Sequence, residues 1–229
     1  MKTVFAKTGN VTNFVSAMTR LTNCADDSLP RMALIWSAPG YGKTRTALWW
    51  IAQNDGIFIR TKKLMDGPWL LEEIVGELGM EPAKRTRDMF RQAVGNLMEK
   101  NRAIFIDEID RYGLHGDIIE TLRDLHDTTN TPIIFIGMER ADDKFKRHNH
   151  LYSRFSEHVQ FVGLRHDDVR SMADQMCEVK LTDDAIAYIY KQTQSIRGVK
   201  VWLYRSETIS RINGLKEVKG EHLAKAVKK

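Results

Sequence analysis

A short apolar run followed by a glycine-rich octapeptide constrains this chain more than any other feature. Residues 32–36 (MALIW) read as a buried strand, and residues 45–52 (RTALWWIA) read as a helix. The octapeptide between them, 37–44 (SAPGYGKT), fits the pattern G-x-x-x-x-G-K-[ST], except that Ser37 stands at the first glycine position. Its backbone N–H groups and the positive end of the helix dipole favour an anion such as a triphosphate.

The same pattern predicts a role for individual side chains of the octapeptide. Lys43 would reach the β- and γ-phosphates of a nucleotide, and the Thr44 hydroxyl would bind Mg²⁺. The predicted nucleotide-binding residues are Ser37, Pro39, Gly40, Tyr41, Gly42, Lys43, Thr44 and Arg45. A Gly/Pro-rich turn before a helix also occurs by chance, so the prediction gains weight only with a second motif.

A buried strand that ends in two carboxylates supplies that second motif. Residues 103–107 (AIFID) read as an apolar strand, and Glu108 follows Asp107 directly. Buried carboxylates are costly unless they face a cation or a polar cleft. Asp107 is therefore predicted to hold Mg²⁺, directly or through water, and Glu108 to polarise the water that attacks the γ-phosphate. The alternative is an acidic helix start that complements the helix dipole.

Strand and helix patterns alternate over the first two thirds of the chain, which predicts βαβ units and an α/β fold. We expect a three-layer core with a five-stranded, mostly parallel sheet, followed by a small C-terminal helical domain. The predicted domains are 1–163, including a helical lead-in at 1–30, and 164–229. The further predicted strands are 56–60, 132–137 and 158–162.

Composition limits the compartment and the partners. The net charge is +5, which is compatible with a polyanionic partner. The two cysteines, Cys24 and Cys177, lack metal-ligand spacing and predict free thiols in a reducing compartment. The N-terminus has no signal-type apolar segment, and no run reaches the roughly 18–20 apolar residues that span a bilayer. These observations predict a cytoplasmic protein without a membrane partner.

Together the two motifs resemble those of the AAA+ ATPases over about residues 15–210. The resemblance implies a P-loop AAA+ core whose C-terminal helical domain is a lid, and it implies ATP hydrolysis, with ATP and Mg²⁺ bound. It also implies that Arg154, in Ser-Arg-Phe, is an arginine finger offered to a neighbouring subunit, with Arg147 as the fallback. Arg197 resembles the second sensor, which contacts nucleotide in cis. The implied catalytic set is Glu108, Asp107, Lys43, Arg154 and Arg197.

Two of those assignments have simpler alternatives, and one position departs from the family. Arg154 could be a surface arginine, and Arg197 could be a solvated arginine at a helix start. Met138 stands where the family carries a polar sensor residue, usually Asn, Ser or Thr.

Within AAA+, residues 107–137 resemble the transposition regulators: the phage Mu B protein, TnsC and TniB-type proteins. That resemblance implies self-association into a ring or filament on duplex DNA, and delivery of target DNA to a transposase, in a bacterial or phage-infected cell. The chain begins almost at the ATPase core, so we expect any N-terminal DNA-binding domain to be absent or minimal. The runner-up is a replication initiator or helicase loader, and a protein remodeller without DNA affinity is an alternative of a different class. The Asp107-Glu108 pair and the arginine-bearing helical tail argue against a further possibility, a small-molecule kinase.

Two basic loops are the candidate DNA contacts. They would meet phosphates without reading base sequence. Because acidic residues lie nearby in the sequence, the alternative is a pair of ordinary solvated loops. The predicted DNA-binding residues are Arg60, Lys62, Lys63, Arg85 and Arg87.

Overall fold

The computed structural model describes residues 1–2, 4–23, 29–110, 116–147 and 152–227. The chain forms two compact units. The first unit takes in Met1–Asn13, Pro39–Gly42 and Val162–Lys229, and the second unit takes in Phe14–Ala38 and Lys43–Phe161.

The second unit is built on a parallel sheet of five strands, in the order β2-β3-β4-β1-β5. Every neighbouring pair of strands runs parallel. The strands are β1 (Met32–Trp36), β2 (Ile57–Arg60), β3 (Ile104–Asp107), β4 (Ile133–Gly137) and β5 (Phe155–Gln160). The helices that precede or connect them are α1 (Gly9–Thr22), α2 (Lys43–Asn54), α3 (Gly67–Glu77), α4 (Thr86–Glu99), α5 (Gly116–Thr129) and α6 (Ala141–Lys146).

Side chains of β3 show why the sheet lies between two helical layers. Successive residues of a strand point to opposite faces. Phe105 contacts Phe14 of α1 and Trp50 of α2, at ring-centroid distances of 6.4 and 5.5 Å. Ile104 and Ile106, on the other face, belong to the core that α3, α4 and α5 share. A strand segment buried on both faces has to be apolar, as Ile104–Ile106 of β3 are.

The strand register places the carboxyl ends of β1, β3 and β4 side by side. Asp107 is the register partner of Ile136, and Gly137 is the register partner of Trp36. The residues that follow β4 therefore lie between the chain segments that follow β3 and β1. In parallel sheets this edge is where ligands bind.

The first unit is mainly helical in its described C-terminal part. Its core is formed by buried residues that include Val169, Met172, Ile189 and Leu203. The elements are α7 (His166–Met176), β6 (Lys180–Leu181), α8 (Asp183–Gln192), α9 (Ile196–Asn213), β7 (Glu217–Val218) and α10 (Gly220–Val227), and β6 pairs with β7.

The start of the chain belongs to the first unit as well. The Lys2 N–H donates to the Met176 carbonyl at 2.8 Å. The Asn10 side chain exchanges two hydrogen bonds with the backbone of Val162, at 2.8 and 3.0 Å. The predicted domains, 1–163 and 164–229, stay a prediction.

The predicted α/β fold with a helical C-terminal region is confirmed, but one strand lies elsewhere. The fifth strand was expected at 158–162, and the structure places β5 at Phe155–Gln160. The reason is that β5 lies at the edge of the sheet and alternates buried with exposed residues. The apolar run in the sequence therefore covers only the end of β5 and the residues that follow it.

Two further sequence predictions concern the cysteines and membrane-spanning segments. Cys177 is a free thiol, and burial raises its pKa to about 12. Cys24 lies outside the described residues. No helix in the described part of the chain is long and apolar enough to cross a membrane.

Candidate nucleotide site

Lys43, the first residue of α2, is held by the loop that precedes it. Its Nζ donates to the Ser37 hydroxyl at 2.8 Å, to the Ser37 carbonyl at 2.9 Å and to the Ala38 carbonyl at 3.3 Å. Burial lowers the pKa of Lys43 from 10.5 to about 8, against the opposing charges of Asp107 and Asp110. The ammonium group is thus desolvated and held by neutral oxygens, an environment in which an anionic phosphate would stabilise its charge.

Thr44 and Asp107, which the two motifs predict as Mg²⁺ ligands, are in direct contact. The Thr44 hydroxyl donates to Asp107 Oδ2 at 3.0 Å, and Asp107 is only 3% exposed. A hydroxyl and a carboxylate oxygen are hard ligands that suit Mg²⁺. Among the described residues, no cluster of three or more His, Cys, Asp or Glu side chains is arranged to hold a metal ion. These two residues fit Mg²⁺ if nucleotide phosphates and water complete its coordination.

Arg60 supplies a further contact to the same carboxylate. Its Nη2 lies 3.3 Å from Asp107 Oδ2, as expected for the register partners at the ends of β2 and β3. Arg60, predicted to contact DNA, is therefore placed beside the candidate metal ligand.

Glu108 has a left-handed backbone, with φ of +59°. A residue with a side chain pays a conformational cost there, and such residues persist only where the surroundings hold them. The Glu108 N–H donates to Asp107 Oδ1 at 3.0 Å. The buried Thr61 hydroxyl donates to the Glu108 carbonyl at 2.9 Å, and the Thr61 N–H donates to the Asp107 carbonyl at 3.0 Å. The turn that carries Glu108 is therefore tied to the end of β2.

Residues 39–42 of the loop lie in the first unit, together with Arg197. Gly40 and Gly42 have φ of +86° and +96°, which favour glycine. The Arg197 N–H donates to the Gly40 carbonyl at 3.2 Å. A Cβ on Gly42 would lie 2.6 Å from Ile196 Cδ1, so the start of α9 also excludes a side chain there. Arg197 thus lies next to the loop.

Arg154 lies directly before β5 and is paired within its own unit. Its Nη1 donates to Asp127 Oδ1 at 2.6 Å, and its side chain is 34% exposed. Sequence reasoning did not anticipate this ion pair. The structure brings Lys43, Thr44, Asp107 and Glu108 to the carboxyl edge of the sheet, whereas Arg154 is placed with α5.

The predicted DNA-binding residues differ in how far they are already paired with acidic side chains. The Lys62 ammonium pairs with Glu73 and lies 5.0 Å from the centroid of the Trp69 ring. Arg87 pairs with Asp88 at 3.7 Å. Lys63 and Arg85 are exposed. In a single chain, Lys63 and Arg85 are therefore the better placed of these cations to meet a phosphate.

Two residues of the site were missed by sequence reasoning, namely Thr61 and Asp110. Asp110 is 7% exposed, and its Oδ1 accepts the Met138 N–H at 2.8 Å. The sequence offers one indication for each of these two residues. Thr61 directly follows a predicted strand, and Asp110 closes the acidic run that begins at Asp107.

Comparison with known proteins identifies the family. A family model described as "AAA domain" matches residues 26–145, more than half of the chain. The chain belongs to the AAA domain family. Membership of the AAA domain family supports an ATPase-type, nucleotide-binding protein. The matched range contains both motifs that carry Lys43 and Asp107.

A match to an individual protein covers most of this AAA domain chain. A Staphylococcus aureus protein named "Potential ATP-binding protein" is 31% identical over 158 residues, which cover 65% of this chain and 55% of that protein. The chain thus spans about half the length of that relative.

Solved structures show the same fold. Cdc6p from Pyrobaculum aerophilum matches with a TM-score of 0.65 and 16% identity, over 95% of this chain and 66% of that one. The Aeropyrum pernix Orc1 protein, solved in complex with DNA, matches with a TM-score of 0.61 and 13% identity, over 98% of this chain and 65% of that one. At these identities, the likeness is one of fold.

Proposed function

We propose that this AAA domain protein binds and hydrolyses ATP and uses the nucleotide to assemble on duplex DNA. The observation that carries the nucleotide part is the contact between Thr44 and Asp107, beside Lys43 at the carboxyl edge of the sheet. The name of the S. aureus relative supports ATP as the ligand.

The proposed reaction is attack of water on the γ-phosphorus, with cleavage of the bond to the β-phosphate oxygen and release of ADP. Lys43 and the loop N–H groups bind the triphosphate, and Thr44 and Asp107 would hold Mg²⁺. When bound, Mg²⁺ neutralises charge on the β- and γ-phosphates. Glu108 orients the attacking water and accepts its proton.

Arg197 and Arg154 are proposed to complete the site in different ways. Arg197, at the start of α9 and hydrogen-bonded through its backbone to Gly40, would contact the nucleotide of its own subunit. We propose residues 164–229 as a lid domain that carries it. Arg154 would reach the γ-phosphate of a neighbouring subunit, and to do so it must leave its ion pair with Asp127. An arginine supplied in trans makes hydrolysis depend on assembly.

Subunit mixing separates these two arginines. We expect Arg154→Ala and Arg197→Ala to lower turnover when each variant is assayed alone, by about tenfold or more, because each removes a charge from the transition state. Adding Lys43→Ala subunits, which still carry Arg154, should restore turnover to Arg154→Ala. The same addition should not restore Arg197→Ala, which serves as the matched control. Phosphate release at fixed total protein measures both effects. If Arg154→Ala gains nothing from mixing although mixed oligomers form, Arg154 is not a finger in trans.

The proposed DNA contact is nonspecific and electrostatic. The net charge of +5 and the exposed Lys63 and Arg85 support it. The finer proposal is a transposition regulator that self-associates on DNA and delivers it to a transposase. It is supported by the resemblance of residues 107–137 to Mu B-type proteins.

Binding to duplexes of graded length tests this proposal. With an ATP analogue present, affinity should rise with duplex length, be indifferent to base sequence and fall steeply with salt. Lys63→Ala and Arg85→Ala should each reduce the slope of log affinity against log salt by about 1. The exposed Lys191→Ala on α8 is the control and should leave the slope unchanged. Absence of binding at low salt would remove the DNA proposal.

A replication initiator is the second candidate, favoured by the fold likeness to Cdc6p and by the Orc1 structure with DNA. The same binding assay separates the two candidates. A marked preference for one duplex sequence supports an initiator, whereas indifference to sequence supports the transposition regulator. A transposase encoded beside this protein's gene would support the latter.

A further inference from the structure

The end of β4 lies between the two motifs of the candidate site. β4 is hydrogen-bonded to β3 on one side and to β1 on the other. Its last residue, Gly137, pairs in register with Trp36, the residue before the phosphate loop. Ile136 pairs with Asp107. Any polar group at this point is therefore close to the residues that bind and hydrolyse the nucleotide.

The polar group at that point comes from Asp110, not from β4 itself. The first residue after β4 is Met138, whose apolar side chain is 41% exposed. Asp110 is 7% exposed, and its Oδ1 accepts the Met138 N–H at 2.8 Å. The Asp110 carbonyl accepts a hydrogen bond from Lys144 Nζ of α6. Asp110 therefore joins the turn after β3 to the end of β4 and to α6.

Gly137 leaves the space that this carboxylate needs. A Cβ on Gly137 would lie 3.0 Å from Asp110 Oδ1 and 2.4 Å from Ala141 Cβ. A buried carboxylate is costly unless its surroundings compensate it.

The turn between Asp107 and Asp110 is the strained part of the site. Glu108 has φ of +59°, a conformation that must be held by its neighbours. Thr61 ties the turn to β2 through the Asp107 and Glu108 carbonyls. Asp110 ties the other end of the turn to β4. Glu108 therefore lies between two anchors, and the loss of either would let its carboxylate move.

We propose that Asp110 is a positioning residue for hydrolysis: by binding the Met138 N–H it fixes the turn that carries Glu108 in the geometry that water attack requires. This role rests on the proposed ATPase function. Asp110 should affect kcat rather than nucleotide affinity, because the loop and Lys43 bind the nucleotide. A displacement of about 1 Å at a reacting group can cost on the order of 100-fold in rate.

The test compares Asp110→Ala with Asp110→Asn. Alanine removes the acceptor, and asparagine keeps an oxygen that can accept the Met138 N–H. We expect Asp110→Ala to lower kcat by about 10- to 100-fold, with KM and the Kd of a fluorescent ATP analogue within about threefold of the wild type. Asp110→Asn should retain kcat within about threefold, since the positioning bond remains. Asp143→Ala, an exposed aspartate on α6, is the control.

The readout is kcat per nucleotide-binding subunit, which a purely structural role would not change. Equal kcat for Asp110→Ala and the wild type overturns the proposal, and so does loss of nucleotide binding in both variants. If Asp110→Ala does not fold, Asp110→Ser replaces it: its hydroxyl ends one bond short of the Oδ1 position, so kcat should still fall by about threefold or more. Unchanged kcat in Asp110→Ser then overturns the proposal. Wild-type protein that hydrolyses no ATP instead contradicts the proposed function itself, and Asp110 loses its role with it.

Discussion

Replacing Lys43 by alanine is expected to abolish nucleotide binding, with Kd at least about 100-fold weaker. A charge-assisted hydrogen bond contributes about 1.5–3 kcal/mol, and Lys43 is expected to make such bonds to two phosphates. About 2.8 kcal/mol corresponds to 100-fold in Kd. Titration of a fluorescent ATP analogue measures the effect, and circular dichroism shows whether the variant is folded. Lys191→Ala, an exposed lysine on α8, is the control. A Kd within threefold of the wild type in folded Lys43→Ala would contradict the assignment.

The pKa of Lys43 adds a pH dependence to this prediction. Because the pKa in the folded protein is about 8, Lys43 is charged below that pH and loses its charge above it. Phosphates favour the charged form, so nucleotide binding takes up a proton at alkaline pH. Wild-type affinity should therefore be nearly constant below pH 8 and fall as pH rises further. An affinity without any alkaline decline would show that Lys43 stays charged.

The same shift predicts a change of stability with pH. Between about pH 8 and 10.5, the unfolded chain holds the Lys43 proton and the folded protein does not. The free energy of unfolding should therefore increase as pH rises through this window, which means that the folded protein becomes more stable. Denaturant titrations of wild type and Lys43→Met isolate the contribution, because methionine cannot titrate. Parallel pH profiles for the two proteins would contradict it.

Replacing Glu108 by glutamine is expected to preserve nucleotide binding and assembly but to lower turnover by about 100-fold or more. General-base catalysis contributes about 10²–10⁴-fold, and an amide is a far weaker base than a carboxylate. Glutamine has nearly the same shape, and the Thr61 hydroxyl binds the main-chain carbonyls, so the turn should be unaffected. Phosphate release measures turnover, and analogue titration measures binding.

Glu139→Gln is the matched control for this substitution. Glu139 is exposed and follows Met138, so it lies close in sequence to the end of β4 without a role in the proposed reaction. Its turnover should equal that of the wild type. Normal ATPase activity in Glu108→Gln would show that Glu108 is not the base.

The sheet could be predicted from the sequence to the extent that its strands are buried on both faces. β1, β3 and β4 are nearly uninterrupted apolar runs, because helices cover both sides of the sheet. β5 is at the edge and alternates, so its start at Phe155 was missed. The short helix Ala141–Lys146 was missed as well, because six residues are too few for a helical pattern to emerge.

The site was predictable where it depends on strand topology. Residues that follow parallel strands share one edge, so the proximity of Lys43, Thr44 and Asp107 follows from two motifs on two strands. Contacts that depend on side-chain reach across the fold were not predictable. The pairing of Arg154 with Asp127 and the bond from the Met138 N–H to Asp110 require the register and the loop geometry, which sequence patterns do not specify.

Nucleotide state is expected to control binding to duplex DNA, and fluorescence anisotropy of a single labelled duplex measures that control. Glu108→Gln with ATP, which should hold the unhydrolysed state, is compared with the same variant in ADP and without nucleotide. We predict that the Kd for DNA is at least about tenfold tighter with ATP, a difference of about 1.4 kcal/mol, and that the difference vanishes in Lys43→Ala. Equal affinity in all three nucleotide states, or no binding in any of them at low salt, would show that nucleotide state does not control DNA binding.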